Sequence, residues 1–443
     1  MPKQNPVTRR SFLKTGSAAL AAAGMLAAWP RRPGTTAQAA RRTLGANDRI
    51  VFGFIGVGSM GGGHVSQLLK MRESHNLALA AVCDVYRRRA NAQAQRCGGQ
   101  AYADYRKLLE DQAIDAVVVA TPDHWHFKNA MDAIEAGKHV YLQKPMTHTV
   151  EEAIRLRQKI RGTKDIVLQV GVQSTGDVRC HHANEMIRAG QIGHVLWSQS
   201  SYCRNNPRGE WNYTIDKPAG PQAGGDDYID WDMWLGHEFG LAPRVDWNPE
   251  HFFRFRKYWA YSGGIATDLF YHRLAKLLRT IEGPQGACPL RVSSGGGVYI
   301  QKDGRDVPDT LAATIDYPGE HTIVLTSSMA NNDQPPDRIY GQYGTIDLES
   351  GATAQKPFLK EFQAKSGGAG QVPLPKPGPG QQGNHDDHLA NFIDVIRGKQ
   401  KELYCGVELG TAAQIAITMS VLAYRQKQTL TWDNYNDKVQ PAG

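Results

Sequence analysis

The sequence is first narrowed by what it lacks. Six cysteines (Cys83, Cys97, Cys180, Cys203, Cys288 and Cys405) are scattered through 443 residues with no CxxC pair, so there is no dithiol motif. Their even number permits disulfides without requiring them. Beyond the first thirty residues no stretch approaches roughly 20 apolar residues, and no membrane span is expected in the mature chain. No internal repeat is present, which argues against a solenoid. A true basic excess is also missing. Six of the 51 Lys and Arg, and none of the 43 Asp and Glu, lie in residues 1–39, so without that stretch the formal charge falls from +8 to +2. That balance gives no reason to expect nucleic acid as a partner.

The basic leader itself is informative. "TRRSFLKTGSAALAAAGMLAAWP" joins paired arginines to a weakly hydrophobic Ala/Gly run, with "AQA" ahead of Ala40. This pattern predicts a twin-arginine signal at 1–39 and a protein exported folded, by the twin-arginine machinery, to a periplasmic or extracytoplasmic location. The apolar run at 16–29 is short for a membrane anchor. Such cargo folds in a reducing compartment before export, which further lowers the need for disulfides.

After the leader, strands and helices alternate with short connections. "RIVFGFIGVGSMGGGHVSQLLKM" reads as strand, glycine turn and helix. "LALAAVCD", "IDAVVVATP", "HVYLQKP" and "IVLQVGVQ" read as further strands, and "RRRANAQAQRCG", "AYADYRKLLED", "HWHFKNAMDAIEAGK" and "TVEEAIRLRQKIRGT" as helices. The alternation predicts an α/β Rossmann domain over 46–171, a doubly wound parallel sheet. From 172 to 437 the rhythm changes. Segments such as "LAATIDYP", "HTIVLTSSM" and "RIYGQYGTIDLES" predict an α+β domain built on a large, open, mainly antiparallel sheet. Residues 364–383 are rich in Gly and Pro and predict a surface loop.

"GVGSMG" supplies Gly56, Gly58 and Gly61 in a GxGxxG pattern between strand and helix, where free helix N–H groups can hold a pyrophosphate. The next strand ends in Asp84, placed to accept from an adenosine ribose. This favours NAD over NADP, whose 2′-phosphate would meet a like charge. Arg87, Arg88 and Arg89 follow and leave NADP open. "ATPDHWHF" and "HVYLQKP" close consecutive strands, so Thr121, Pro122, His126 and Lys144 are expected against the cofactor. In "GGIATDLFYH", Asp268 and His272 are four residues apart, on one face if the segment is helical. Asp268 as a cap and His272 as a satisfied core side chain is the plainer reading.

These motifs resemble the Gfo/Idh/MocA oxidoreductase family: the GxGxxG start, the "TPDHWH" loop, "AIEAGKHVYLQKP", and the two glycines leading to Asp268 and His272. The family's usual Glu-Lys-Pro is here Gln143-Lys144-Pro145. The resemblance implies a catalytic Lys144, Asp268 and His272. An alcohol oxidation needs a base for the hydroxyl proton, suited to His272; Asp268 could orient the imidazole, and Lys144 could donate to the reacting oxygen. Trp231 and Tyr261 are candidate stacking platforms for a sugar, against the alternative that they are simply buried. "HDDH" at 385–388 is read as acidic residues favouring a helix start, and no metal site is expected.

Three functions fit. The first is an exported NAD(P)-dependent sugar or polyol oxidoreductase holding its nicotinamide tightly, since free cofactor should be scarce outside the cytoplasm. The second is an NAD-dependent glycoside hydrolase acting by transient C3 oxidation and elimination, whose histidine-glycine context is not found at His272. The third is a non-catalytic binding protein that retains the cofactor. The resemblance also suggests a homo-oligomer paired through the open sheet.

Overall fold

Residues 48–442 are described by the computed structural model, and the predicted export signal at 1–39 lies outside the described residues. Strands β1 (Ile50–Ile55), β2 (Leu77–Cys83), β3 (Gln100–Tyr102), β4 (Ala116–Val119), β5 (His139–Gln143) and β6 (Leu168–Gly171) form a parallel sheet ordered 3-2-1-4-5-6. Its inner strands, Ala-Val-Val-Val in β4 and His-Val-Tyr-Leu-Gln in β5, are buried at every position. Helices on both faces of a parallel sheet require such unbroken burial. Strand order reverses between β1 and β4, which opens a crevice at the carboxyl ends of the strands.

A second sheet follows: β7 (Val195–Ser201), β8 (Arg291–Gly297), β9 (Thr310–Tyr317), β10 (His321–Ser328), β11 (Arg338–Gly341), β12 (Gly344–Asp347), β13 (Gly351–Ala354), β14 (Gln371–Val372), β15 (Leu430–Asp433) and β16 (Lys438–Pro441). Their order is 14-13-12-11-7-10-9-8-15-16, with β7 and β10 parallel and the other neighbours antiparallel. Burial alternates along β10, where Ile323 and Leu325 face inward, as expected for a sheet covered on one side. The covering helices are Tyr271–Ile281 and Val407–Gln426.

Several local expectations change. The predicted helix at 101–111 is instead strand β3, pairing with β2, and then the helix Tyr105–Glu110, whose start is fixed by Asp104 accepting from the Arg106 amide at 2.9 Å. Edge pairing and a side-chain cap together override helical propensity there. Within the predicted loop 364–383, Gln371–Val372 adds to the sheet beside β13. Val407–Gln426 is, against expectation, long and apolar enough to cross a membrane by length and composition; it is mostly buried against the second sheet and the helix Val150–Arg161. All six cysteines are free thiols.

Candidate active site

A cleft of about 760 Å³ runs from the glycine turn to the helix that carries His272. Gly56 has φ +81, and a Cβ there would lie 2.8 Å from the Thr121 amide; at Gly61 it would collide with the Gly56 carbonyl. These two glycines let strand, turn and helix close on one another. Gly58 is the N-cap of the helix Ser59–Met71 and no side chain caps that end. With Gly56 and Gly58 in the cleft wall, the uncapped helix start faces the space where a pyrophosphate fits. Asp84 accepts from the Val57 amide at 2.8 Å and the Tyr86 amide at 2.9 Å, fixing the turn to the end of β2. Each of its oxygens keeps a lone pair for a ribose hydroxyl.

The three arginines after Asp84 face different ways. Arg87 lies over the Tyr228 ring, Arg88 pairs with Asp216 and Asp227, and Arg89 alone lines the cleft, its guanidinium over Tyr86 and Phe252. Residues 216–253 cover this end of the cleft. Tyr228 accepts from the Arg87 amide at 3.1 Å, the Asp230 amide donates to Val85 at 2.9 Å, and Asn91 donates to Asp226 at 2.8 Å. Met233, Phe252 and Phe253 complete the wall.

At the other end, Lys144 follows β5 and reaches the GGIATDLFYH segment. Its Nζ donates to Asp268 Oδ1 at 2.7 Å and to the Asp268 carbonyl at 2.9 Å, leaving one N–H for a third partner. The segment is not a plain α-helix. Ala266–Phe270 is a π-turn leading into the helix Tyr271–Ile281, a distortion often found at functional sites. Asp268 also accepts from Arg256 Nε at 3.1 Å and from Trp211 Nε1 at 3.2 Å. Burial resists its ionisation, but the Lys144 ammonium and Arg256 guanidinium outweigh that and hold the carboxyl well below the usual range. His272 lines the cleft and has no hydrogen bond to a described residue. Burial first, and then the Lys144 charge, push its imidazole well below 6.5 against a smaller opposing effect of Asp268. Asp268 therefore engages Lys144 rather than orienting His272.

The structure brings Gly56, Gly58, Asp84, Thr121, Pro122, Lys144, Asp268 and His272 to one cleft. It does not bring His126, Trp231 or Tyr261 to the cleft wall. His126 is buried with its ring nitrogens 2.8 Å from the Thr121 carbonyl and 2.5 Å from the Pro145 carbonyl, one of which accepts its single N–H, so it packs between the two loops from behind. Trp231 stacks on Trp234 at 4.8 Å and donates to the Val245 carbonyl, while Tyr261 bonds His251. Both belong to a buried aromatic cluster, and the neighbouring Trp234 reaches the cleft instead. At the HDDH segment Asp386 and Asp387 occupy the first turn of the helix His385–Ile396, with Asn384 as its cap. Arg204, Trp211, Tyr213, Arg256 and Arg273 were not singled out by sequence. They come from irregular segments or from helix positions without any motif, so only their convergence identifies them.

Residues 50–172 match the family model GFO_IDH_MocA, described as an oxidoreductase family with an NAD-binding Rossmann fold. The chain is 29% identical over 218 residues to a glycosyl hydrolase family 109 protein of Shewanella pealeana, covering 44% of this chain and 46% of that one. It is also 29% identical over 160 residues to the alpha-N-acetylgalactosaminidase of Shewanella oneidensis, covering 34% of each. The matched region thus spans less than half the length of these curated relatives. Among solved structures, the WlbA dehydrogenase from Bordetella pertussis in complex with NADH and UDP-GlcNAcA is similar at TM-score 0.61 and 17% identity, over 87% of this chain and 99% of that one. Levoglucosan dehydrogenase in complex with NADH and levoglucosan is similar at 0.60 and 18%, with the same coverage. At these identities the solved structures establish the fold. Strand order and glycine cradle agree with the family match: residues 50–172 form a Rossmann domain similar to the NAD-binding domain of the Gfo/Idh/MocA oxidoreductase family.

Proposed function

We propose that the protein is an NAD(P)-dependent oxidoreductase acting on a secondary alcohol of a sugar or polyol, with a captive nicotinamide. The observation that carries this reading is the meeting of Lys144, Asp268 and His272 in the cleft that begins at the glycine turn. The bound nicotinamide supplies a hydride acceptor and donor. The chain's own residues handle the proton. His272, neutral and open to the cleft, takes it from the hydroxyl, and the free N–H of Lys144 stabilises charge on the same oxygen. Asp268, fixed as an anion, holds Lys144 in place.

Asp84 favours NAD, because a 2′-phosphate would approach its charge. The segment 216–253 across the adenosine end supports slow cofactor release. The leader supports export by the twin-arginine route to the periplasm or beyond, and the exposed face of the second sheet is the proposed homo-oligomer contact. Denaturing purified protein and counting the released nucleotide tests captivity: about one NAD(H) or NADP(H) per chain is expected, and an empty protein that binds added nucleotide weakly would defeat it.

A second reading is favoured by the names of the curated relatives. In an NAD-dependent glycosidase the same base would remove the C2 proton of a sugar transiently oxidised at C3, and the glycosidic oxygen would leave by elimination. Release of the aglycone with solvent deuterium at C2 would select this reading; oxidised sugar with its glycosidic bond intact would select the first.

A further inference from the structure

The charge at the Lys144 end of the cleft does not balance. Lys144, Arg204, Arg256 and Arg273 line it, against the carboxylates of Asp123 and Asp268. Behind the wall, Glu210 lies 3.8 Å from Arg204, and Asp337 answers both Arg273 and Lys276, at 3.4 and 2.9 Å. Counting every one of these groups leaves one cation in excess. Asp123 does not remove the surplus, since it is already in the count, and one of its oxygens accepts from Thr267 at 2.9 Å.

Arg256 is where that surplus is accessible. Only its Nε is bonded, to Asp268, and its terminal nitrogens have no hydrogen-bond partner among the described residues and are not sealed from the cleft. Arg204 presents a second guanidinium, donating to the Tyr202 hydroxyl at 2.8 Å but too far from Glu210 for a hydrogen bond. The depressed pKa of His272 has the same origin in part, because Lys144, Arg273 and Arg204 all disfavour its protonation. A pyrophosphate does not account for these arginines. It would sit at the glycine turn, whose neighbouring cation is Arg89, whereas Arg204, Arg256 and Arg273 gather around Asp268 and His272.

We propose that the substrate is a sugar bearing one anionic substituent, a carboxylate or a sulfate ester, held by the unbonded terminal nitrogens of Arg256 with Arg204 beside it. This rests on the alcohol-oxidation reading for the identity of the ligand as a sugar. Guanidinium groups bind planar and tetrahedral oxyanions in paired hydrogen bonds, and an excess cation away from bulk water strongly favours a ligand that neutralises it. The anion would anchor the sugar while a neighbouring hydroxyl lies between Lys144 and His272.

The test uses the protein as isolated, with methyl glucuronide and methyl galacturonide, the 6-sulfates of the methyl glycosides, and the neutral methyl glycosides. Equilibrium binding is followed by intrinsic fluorescence, and turnover by reduction of the bound nicotinamide. Anionic sugars should bind at least about tenfold more tightly than their neutral parents, and Arg256→Met and Arg204→Met should each shrink that ratio. The uronide and sulfate arms identify which oxyanion fits. Equal or weaker binding of all anionic sugars, or a preference that survives both substitutions, overturns the proposal. Because Arg256→Met also disturbs Asp268, Arg204→Met provides the independent variant. Anionic preference without nicotinamide reduction upholds the anion site and defeats hydride transfer; reduction by neutral sugars with no anionic preference does the reverse.

Discussion

Gln143 and Lys144 are consecutive residues, yet they serve two polar regions of opposite character. The Gln143 amide meets His64 Nε2 at 2.5 Å, and His64 Nδ1 meets Gln67 at 3.2 Å. Beyond His64, His388 bonds Tyr141 at 3.0 Å and Gln169 at 2.9 Å. Burial pushes His64 and His388 down to about 3, so both are neutral struts. Lys144 enters the other region, where His272 is also depressed but touches the cleft. A low imidazole pKa therefore does not mark function by itself. Access to the cleft beside Lys144 and Asp268 separates His272 from these two struts.

The sharpest way to break this comparison is Lys144→Met against His64→Leu. Losing Lys144 should cut nicotinamide reduction by about 10²–10⁴-fold with circular dichroism unchanged, while His64→Leu should act mainly on stability. Equal kinetic losses would erase the distinction between the regions. His272→Ala comes next, with a loss toward the lower part of that range. In the wild type the acid limb of kcat/KM should lie below 6.5, because the base is active when neutral and its pKa is depressed. In Lys144→Met residual activity should show this limb moved upward, since the charge opposing protonation is gone; an unmoved limb would remove His272 as the titrating base.

The strut histidines give a thermodynamic counterpart. His64, His124 and His388, held at about 3, and His321, at about 4, are unprotonated in the fold but protonate on unfolding below about 6.5. Their stabilisation is complete above that pH and is lost as pH falls toward the folded values, at about 1.4 kcal/mol per pH unit for each. Glu152, raised to about 7 by burial, opposes one of them over part of this window. Urea unfolding between pH 6.5 and 4.5 should show the decline, and His64→Leu should make it shallower. The smallest effect is expected for Gln143→Glu. A carboxylate facing His64 would raise that histidine's pKa and still offer an oxygen to the Lys144 backbone amide, changing turnover by less than about tenfold. A larger kinetic change would show that the two regions are coupled.

Much of the first domain was legible because its signals are local. Apolar runs of strand length, a glycine turn that opens a helix, and a terminal Asp84 each sit within one segment. Lys144, Asp268 and His272 were found through motif resemblance, and the Asp268/His272 spacing was visible without it. The stretch around Trp231 and Tyr261 was illegible at the level of facing. Aromatics that pack and aromatics that line a cleft have the same composition, and Trp231 and Trp234 differ only by which side of a five-residue helix they occupy. His126 failed for a related reason, since a conspicuous motif histidine can brace a loop as readily as it can face a ligand.

By itself, then, the sequence determined the strand and helix alternation, the glycine cradle and the residue types needed for proton transfer, because backbone preference and hydrophobic period act over a few neighbours. Tertiary structure alone decided which charges meet. It placed Arg256 and Trp211 on Asp268, left His272 unbonded at the cleft, and set the Gln143 amide between His64 and the Lys144 backbone N–H. Electrostatics depends on distance in space rather than along the chain, and the paired Lys144 and Asp268 lie 124 residues apart.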